Sequence, residues 1–299
     1  MSSSASGPLA TRPVPARGGA LLTVDVEDWF DVNYRSWQRP SDFRPTRRVL
    51  EMTHEVLAAL AAVGKRGTFF VLAGAATAVP TLVRDIAAAG HEIACHGLEH
   101  DLLYEKTPAA LARELADAKR RLEDQAGGAV LGFRAPSWSI GRTSLWALDV
   151  IAAAGFRYDA SLFPVENYLY GLREAPLHPC WLRTPGGAVV LEIPAPAVAV
   201  GPLRVPHGGG FYLRVLPLWV ERALQHARVR RGDPALLYLH PRELSHTDDT
   251  VPLGGIERFI QEFGVTRGRR KLERLFALLP WTPIRDAFAV ELAAPPPVV

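Results

Sequence analysis

Two histidines, His96 and His100, have the type and spacing that most directly suggest metal chemistry. Because they are four residues apart, a helical turn or a compact loop would bring both imidazoles within reach of one cation. Histidine pairs also occur as ordinary surface or capping residues, so a metal site needs a carboxylate from another part of the chain. With that carboxylate, two neutral imidazoles would leave coordination positions open for water and substrate.

The acids that could complete such a site are Asp25, Glu27 and Asp28, in the segment TVDVEDW. In an extended strand Asp25 and Glu27 share one face and Asp28 points away, but a turn that begins at Glu27 would swing Asp28 inward. We expect one of these acids to bind the metal and another to act as a base. The alternative is that the acids are simply solvated or cap a helix.

Hydrophobic patterns predict that these residues follow buried strands. Residues 21–26, LLTVDV, are typical of a strand, and residues 46–63 have helical spacing, with apolar side chains at 49, 52, 56 and 60. The strand-then-helix alternation recurs at GTFFVL, HEIAC and AVLGF. Several of the helices end at a glycine, the residue that best adopts a left-handed C-cap.

Further strands are predicted at 188–194 and 235–240, separated by a helix with apolar residues at 216, 220 and 224. Strands that alternate with helices imply an α/β fold with a parallel sheet, and this many units favour a barrel over an open sheet.

Polar clusters stand where five of the predicted strands end. They are TVDVED, HGLEH, FRAPSW, YDASLFP and LHPREL. In α/β folds the reactive groups lie at the carboxyl ends of strands and in the loops that follow. Random placement would also scatter Asp, His and Arg over helix faces, so these clusters predict one active site.

The composition is that of a globular protein, with 48% hydrophobic residues in 299. We interpret residues 1–18 as a disordered lead-in and 286–299 as a tail. Residues 1–18 lack the apolar stretch of a signal peptide, and no later run is long enough to span a bilayer. Two cysteines are too few for a disulfide framework, so we expect a soluble protein in a reducing cytoplasm.

The net charge of +3 comes largely from two basic stretches, VRRGD and TRGRRKLERL. We interpret these as solvated helix faces. The alternative is a contact with an anionic membrane or with a phosphate-bearing carrier lipid. Nucleic-acid binding is not expected, because the basic residues are not interleaved with exposed aromatic residues or a reading motif.

Taken in order, these motifs resemble those of the polysaccharide deacetylases with a NodB-homology domain, also grouped as carbohydrate esterase family four. TVDVEDWF is similar to a variant of the first motif, in which one Asp is the base and a following Asp binds metal. The later motifs are matched by the residues His96 and His100, Arg134 and Pro136, Asp159, and Leu239 and His240.

The sequence resembles most closely the subgroup associated with exosortase and exopolysaccharide loci, over residues 19–280, including HGGGFYLRVLP and LYLHPREL. The resemblance implies one deacetylase domain over 19–285, with a C-terminal extension, formerly of unknown function, from about residue 200. It also implies a distorted (β/α) barrel of about seven parallel strands that uses zinc or another divalent ion.

The resemblance also implies roles for single residues. The metal ligands would be Asp28, His96 and His100, and Glu27 is the alternative to Asp28 because two residues separate the acids of this first motif. Asp25 would be the base, oriented by Arg134. His240 would protonate the departing amine, and Asp159 would pair with His240.

Two departures from the subgroup concern substrate preference rather than chemistry. Arg242 replaces an aromatic residue that often follows the last His-Pro, and VENYLYG follows Pro164 where a His-Asp pair is frequent. Five aromatic residues could stack on sugar rings or simply pack in the core. They are Trp29, Phe30, Tyr34, Trp138 and Tyr212.

The predicted function is the metal-dependent N-deacetylation of a polysaccharide or lipid-linked oligosaccharide in exopolysaccharide biosynthesis. One alternative is a related amidase acting on a formyl group or a cyclic ureide with the same metal site. Another is a catalytically silent glycan-binding protein, which would need neither a base nor an acid.

Overall fold

The computed structural model describes residues 9–14, 19–37, 39–40, 43–245 and 249–294. The strands are β1 (Ala10–Pro13), β2 (Ala20–Val26), β3 (Thr68–Val71), β4 (Glu92–Cys95), β5 (Gly132–Phe133), β6 (Tyr158–Asp159), β7 (Cys180–Arg183), β8 (Val189–Glu192), β9 (Ala197–Val200), β10 (Leu203–Pro206), β11 (Ala235–Leu239) and β12 (Trp281–Thr282). The helices are α1 (Arg47–Ala61), α2 (Ala73–Ala78), α3 (Leu82–Ala88), α4 (Pro108–Ala126), α5 (Ala147–Ala153), α6 (Gly210–Val215), α7 (Leu218–Arg230), α8 (Gly255–Glu262), α9 (Val265–Phe276), α10 (Ile284–Ala287) and α11 (Ala289–Ala293).

The main sheet contains the seven-stranded parallel series predicted above. Its order is β1-β7-β8-β6-β5-β4-β3-β2-β11, and β12 also pairs with β2. Every neighbouring pair from β8 to β11 along this path is parallel, whereas β7 and β1 add antiparallel strands at one edge. The prediction of a distorted α/β barrel is therefore confirmed.

The segment 207–209 links the two ends of the parallel series. The N–H of His207 donates to the carbonyl of Pro196, just beyond β8, and the N–H of Tyr238 in β11 donates to the carbonyl of Gly208. A Cβ at Gly209 would lie 2.1 Å from the Tyr238 carbonyl oxygen. The glycines after His207 thus permit close approach to β11, while the His207 side chain is buried against Glu221.

Gly209→Ala is expected to destabilise the fold by about 3 kcal/mol, because backbone must move to admit the new methyl group. Gly128→Ala is the matched control, since a Cβ there would meet nothing within 4 Å. The midpoint of urea unfolding measures both variants. Equal midpoints for the two would contradict the close approach at β11.

Helix α1 shows how the sequence pattern produces the packing. Thr46 caps it by accepting a hydrogen bond from the N–H of Arg48, and its buried residues include 49, 52, 56 and 60, as predicted. Gly64, just after the helix, has φ +61°, the left-handed conformation expected of a glycine stop. The apolar face of α1 belongs to the main hydrophobic core.

Part of the predicted lead-in is ordered, which corrects the expectation of disorder there, and part of the predicted tail is helical. Residues 10–13 form β1 and pair with β7, and Val14 is buried. At the other end α11 buries Leu292, whose carbonyl accepts a hydrogen bond from Arg157. β1 and α11 rely on backbone hydrogen bonds and few apolar residues, so their hydrophobic pattern in the sequence is weak. Residues 1–8, 15–18 and 295–299 of those two segments lie outside the described residues.

No helix in the described ranges is both long enough and apolar enough to cross a membrane.

Candidate functional site

The predicted site residues gather at the carboxyl ends of the parallel strands. Asp25 is in β2, His96 follows β4, Arg134 follows β5, Asp159 ends β6 and His240 follows β11. Asp25, His96 and His240 line a cavity of about 280 Å³, together with Glu27 and His100. Arg134 and Asp159 are buried behind its wall. The strand ends that carry these residues therefore meet around one cavity.

Glu27 is the carboxylate that meets the histidine pair. The Nε2 atoms of His96 and His100 each lie 3.0 Å from Glu27 Oε1. One ligand atom from each of the three residues falls within 4.8 Å of the other two. The neighbouring His charges hold the pKa of Glu27 well below its usual range, although burial alone would raise it.

The orientation of the His96 ring fits metal binding. His96 Nδ1 lies 2.8 Å from the backbone carbonyl of Arg134, which can only accept, so this nitrogen carries the proton and Nε2 offers its lone pair toward Glu27. At His100, by contrast, Asn33 Nδ2 donates to the backbone carbonyl and lies 3.1 Å from Nδ1, so Nδ1 accepts and the proton lies on the Nε2 that faces Glu27. Binding of a cation at this nitrogen would displace that proton. Two imidazoles and one carboxylate, with a cavity on the open side, are the donor set of a catalytic divalent-metal site.

Asp28 lies outside this cluster, which corrects the expectation that it is the metal ligand. Its Oδ2 accepts hydrogen bonds from the N–H and hydroxyl of Thr46, at 2.6 and 2.8 Å, and its Oδ1 accepts from the N–H of Trp29. Burial raises the pKa of Asp28 despite these bonds. The carboxylate of Asp28 therefore holds the start of α1, and the inward position belongs to Glu27.

Arg134 contacts Asp25, the residue that it is predicted to orient. Nη1 of Arg134 lies 2.6 Å from Asp25 Oδ1 and also donates to the Thr23 hydroxyl. The Nε of Arg134 donates to the carbonyl of Ala160, and the guanidinium lies over the Phe70 ring. These contacts fix the buried guanidinium, which in turn fixes one oxygen of the Asp25 carboxylate.

Glu243, rather than Asp159, is the carboxylate beside His240. Glu243 Oε2 accepts a hydrogen bond from the backbone N–H of His240 and faces its Nδ1 at 3.7 Å. Asp159 instead accepts hydrogen bonds from the hydroxyl and N–H of Ser161. Burial and the Asp159 charge raise the pKa of neighbouring Glu192 well above its usual range, so a protonated Glu192 can donate to Asp159. The predicted pairing of Asp159 with His240 is therefore wrong.

Electrostatics favour the charged form of His240. Burial alone would lower its pKa, but Glu27 and Glu243 outweigh that effect and raise it. Glu243 is itself held by Arg214, whose Nη1 lies 2.6 Å from Glu243 Oε1. Burial would raise the pKa of Glu243, yet His240 and Arg214 bring it to about 2. His240 therefore lies between two carboxylates that favour its protonated form.

The cavity contains further residues that the motifs did not identify. Burial raises the pKa of Asp31 to about 6, and this carboxylate accepts from the N–H of Asp28. Asp31 and Asn33 closely follow the acidic first motif, and this proximity is a sequence signal that could have identified them as cavity residues. Tyr34, Trp138 and Tyr212 line the cavity, but Phe30 is packed in a separate core cluster.

Ser137 and Trp138 adopt φ values of 51° and 47°, which are unusual for residues other than glycine. The cavity wall therefore contains strained backbone. Strain of this kind persists only where the surrounding structure holds it, and it clusters at functional sites.

Two family models match the chain. The model described as polysaccharide deacetylase matches residues 42–158, and a domain of unknown function, DUF3473, matches residues 160–289. A putative polysaccharide deacetylase from Mycobacterium smegmatis is structurally similar, with 19% identity and a TM-score of 0.58 over 99% of this chain and 97% of that one. The allantoinase Puue is also similar, with 18% identity and a TM-score of 0.58 over 96% of this chain and 94% of its own. These identities establish a shared fold.

Proposed function

Because this chain belongs to the polysaccharide deacetylase family of hydrolases, which act on non-peptide carbon–nitrogen bonds, we propose that it is a metal-dependent N-deacetylase of a polysaccharide or lipid-linked oligosaccharide. The observation that carries the proposal is the meeting of Asp25, the Glu27–His96–His100 cluster and His240 in one cavity. A base, a metal site and an acid are the groups that amide hydrolysis needs. We place this activity in exopolysaccharide biosynthesis.

Glu27, His96 and His100 would hold the cation, and we propose zinc because two imidazoles and one carboxylate form a known catalytic zinc ligand set. When bound, a divalent cation supplies a Lewis acid for the acetamide carbonyl and lowers the pKa of water. The burial of both histidines excludes bulk water from the ligand side of the site.

Asp25 acts as the base that takes a proton from the attacking water. Its position beside Arg134 keeps the carboxylate oriented. Arg134 is a positioning residue, because it is buried behind the wall and acts through Asp25.

His240 gives a proton to the nitrogen of the departing amino sugar. An amine leaves poorly as an anion, so the nitrogen must be protonated as the carbon–nitrogen bond breaks. His240 lies on the cavity wall with Nε2 3.7 Å from Glu27 Oε2, on the metal side of the cavity. Glu243 fixes its main chain and favours the protonated ring.

Glu243→Gln is expected to move the alkaline limb of the pH profile of kcat to lower pH. The Glu243 carboxylate raises the pKa of His240, so its removal lowers that pKa and the acid loses its proton at a lower pH. Acetate release measured across the neutral and alkaline range locates the limb. Asp159→Asn should leave the limb in place, and a shift in Asp159→Asn alone would restore Asp159 as the partner of His240.

The product that the protein releases distinguishes deacetylation from the alternative reactions. The zinc-loaded protein should release acetate from N-acetylated oligosaccharides. Formate or ammonia from formylated or ureide substrates, without acetate, would support the related amidase, a relevant candidate because an allantoinase shares the fold. Absence of turnover on all these substrates would support the silent glycan-binding protein.

An apolar surface beside the cavity supports contact with a carrier lipid or membrane. Ile256, Phe259 and Phe263 are 68%, 47% and 42% exposed. They recur at helical spacing in and just after α8, whose residues Ile260 and Gln261 line the cavity. A lipid-linked glycan could thus present its sugar to the cavity and its apolar part to this surface. The cytoplasmic location stays a prediction, supported by two buried, unpaired cysteines.

A further inference from the structure

Arg242 places a guanidinium on the wall of the catalytic cavity, two residues after His240. Its Nη2 donates to Oε1 of Gln261 at 3.0 Å, and the Tyr34 hydroxyl donates to the same oxygen at 2.9 Å. Gln261 is neutral, so this contact positions the arginine without neutralising its charge.

Three other arginines on or beside the cavity have carboxylate partners. Arg134 pairs with Asp25, Arg214 pairs with Glu243, and Arg39 pairs with Asp31 and Glu99. Within the described part of the chain, no carboxylate lies within ion-pair distance of Arg242, whose one hydrogen bond is to Gln261. Arg242 therefore lines this cavity with no carboxylate partner among the described residues.

The Arg242 guanidinium also has N–H donors that do not bind Gln261. It carries five N–H groups in a planar fork, which suits the two oxygens of a carboxylate or phosphate. None of its nitrogens is among the buried polar atoms that lack a partner, in contrast to Nη2 of Arg228. The donors not used by Gln261 are therefore not fully buried, and Arg242 lines the catalytic cavity as well as a neighbouring one.

We propose that Arg242 binds an anionic group of the substrate, so that the enzyme prefers an N-acetylated sugar that carries or adjoins a carboxylate or a phosphate. The inference rests on the proposed deacetylase function and names its substrate class. It also explains why this position carries an arginine. An aromatic side chain here could stack on a neutral sugar, whereas the N–H groups of arginine bind an anion.

Two matched pairs of ligands test the preference. N-acetylglucosamine is compared with its 1-phosphate, and di-N-acetylchitobiose with glucuronosyl-N-acetylglucosamine. Calorimetry on the zinc-loaded protein gives Kd, and acetate release gives kcat/KM. We expect the anionic member of at least one pair to bind about tenfold more tightly in the wild type, and Arg242→Met to remove that advantage. The pair that responds distinguishes phosphate from carboxylate.

Arg258→Met is the control, because it removes the same charge from an exposed arginine of α8 that pairs with Glu262. It should keep the wild-type ratio of anionic to neutral affinity. Equal affinities within both pairs in the wild type would overturn the proposal, as would an equal loss in Arg258→Met and Arg242→Met. Because Kd does not require turnover, an Arg242-dependent preference without acetate release would refute the deacetylase function alone.

Discussion

Asp25→Asn is expected to lower kcat for acetate release by about a thousandfold, the usual contribution of a positioned base. An amide in place of the carboxylate can still accept the hydrogen bond from Arg134, but it cannot take a proton from water. Acetate release at saturating substrate measures the loss, with zinc content and the unfolding midpoint determined on the same sample. Retained zinc would show that the loss lies in the chemical step.

Asp31→Asn is the matched control for the base, because Asp31 is another buried carboxylate of the same cavity. Its raised pKa, about 6, would also suit a base near neutral pH. We assign the role to Asp25 because Arg134 orients it, whereas Asp31 accepts hydrogen bonds from the N–H of Asp28 and from Arg39. A thousandfold loss in Asp31→Asn with near-normal Asp25→Asn would transfer the role to Asp31.

Glu27→Ala is expected to lose zinc binding, whereas Asp28→Ala is expected to lose stability. Glu27→Ala removes one of three ligands and should weaken zinc binding by more than about a hundredfold, beyond the effect typical of outer-shell partners. Asp28→Ala removes the hydrogen bonds to Thr46 and should lower the free energy of unfolding by about 2 kcal/mol while zinc binding persists. Zinc retained after dialysis and urea unfolding measure the two effects.

The reverse pattern would identify Asp28 as the ligand. Zinc lost from Asp28→Ala and kept by Glu27→Ala would mean that the chain after β2 turns differently when the metal binds.

The sequence predicted those features that depend on local pattern. The spacing of residues 49, 52, 56 and 60 is the buried face of α1, and the ends of apolar runs located Asp25, His96, Arg134 and His240. Both follow from periodicity and from the common direction of parallel strands. Local pattern is therefore enough to find which segments meet.

The sequence-based predictions that were wrong concern contacts that only the folded chain determines. The choice between Glu27 and Asp28 depends on how the chain leaves β2, and Asp28 is drawn away by Thr46, eighteen residues later. Glu243 lies only three residues after His240, but it faces the imidazole because a short helical turn forms there, which the sequence pattern does not reveal.

Helix α7 shows why apolar spacing could mislead. The sequence suggested a face at 216, 220 and 224, but the buried residues are Glu221, Gln225 and Arg228. Gln225 exchanges hydrogen bonds with the backbone of Leu236 in β11, which compensates for the burial of its polar side chain. Single-sequence periodicity does not reveal partners of this kind.

The order of strands in the sheet predicts what would happen if the chain were cut between the two matched segments. The two matched segments, 42–158 and 160–289, contribute neighbouring strands to one sheet, and β2, with Asp25, precedes both. Polypeptides cut at residue 159 would each carry an unpaired strand edge, and His240 would be on a different fragment from Asp25 and Glu27. Under the proposed mechanism, activity would then require the fragments to reassemble, because the segment of unknown function carries His240, the proposed proton donor, and the other fragment carries the proposed base.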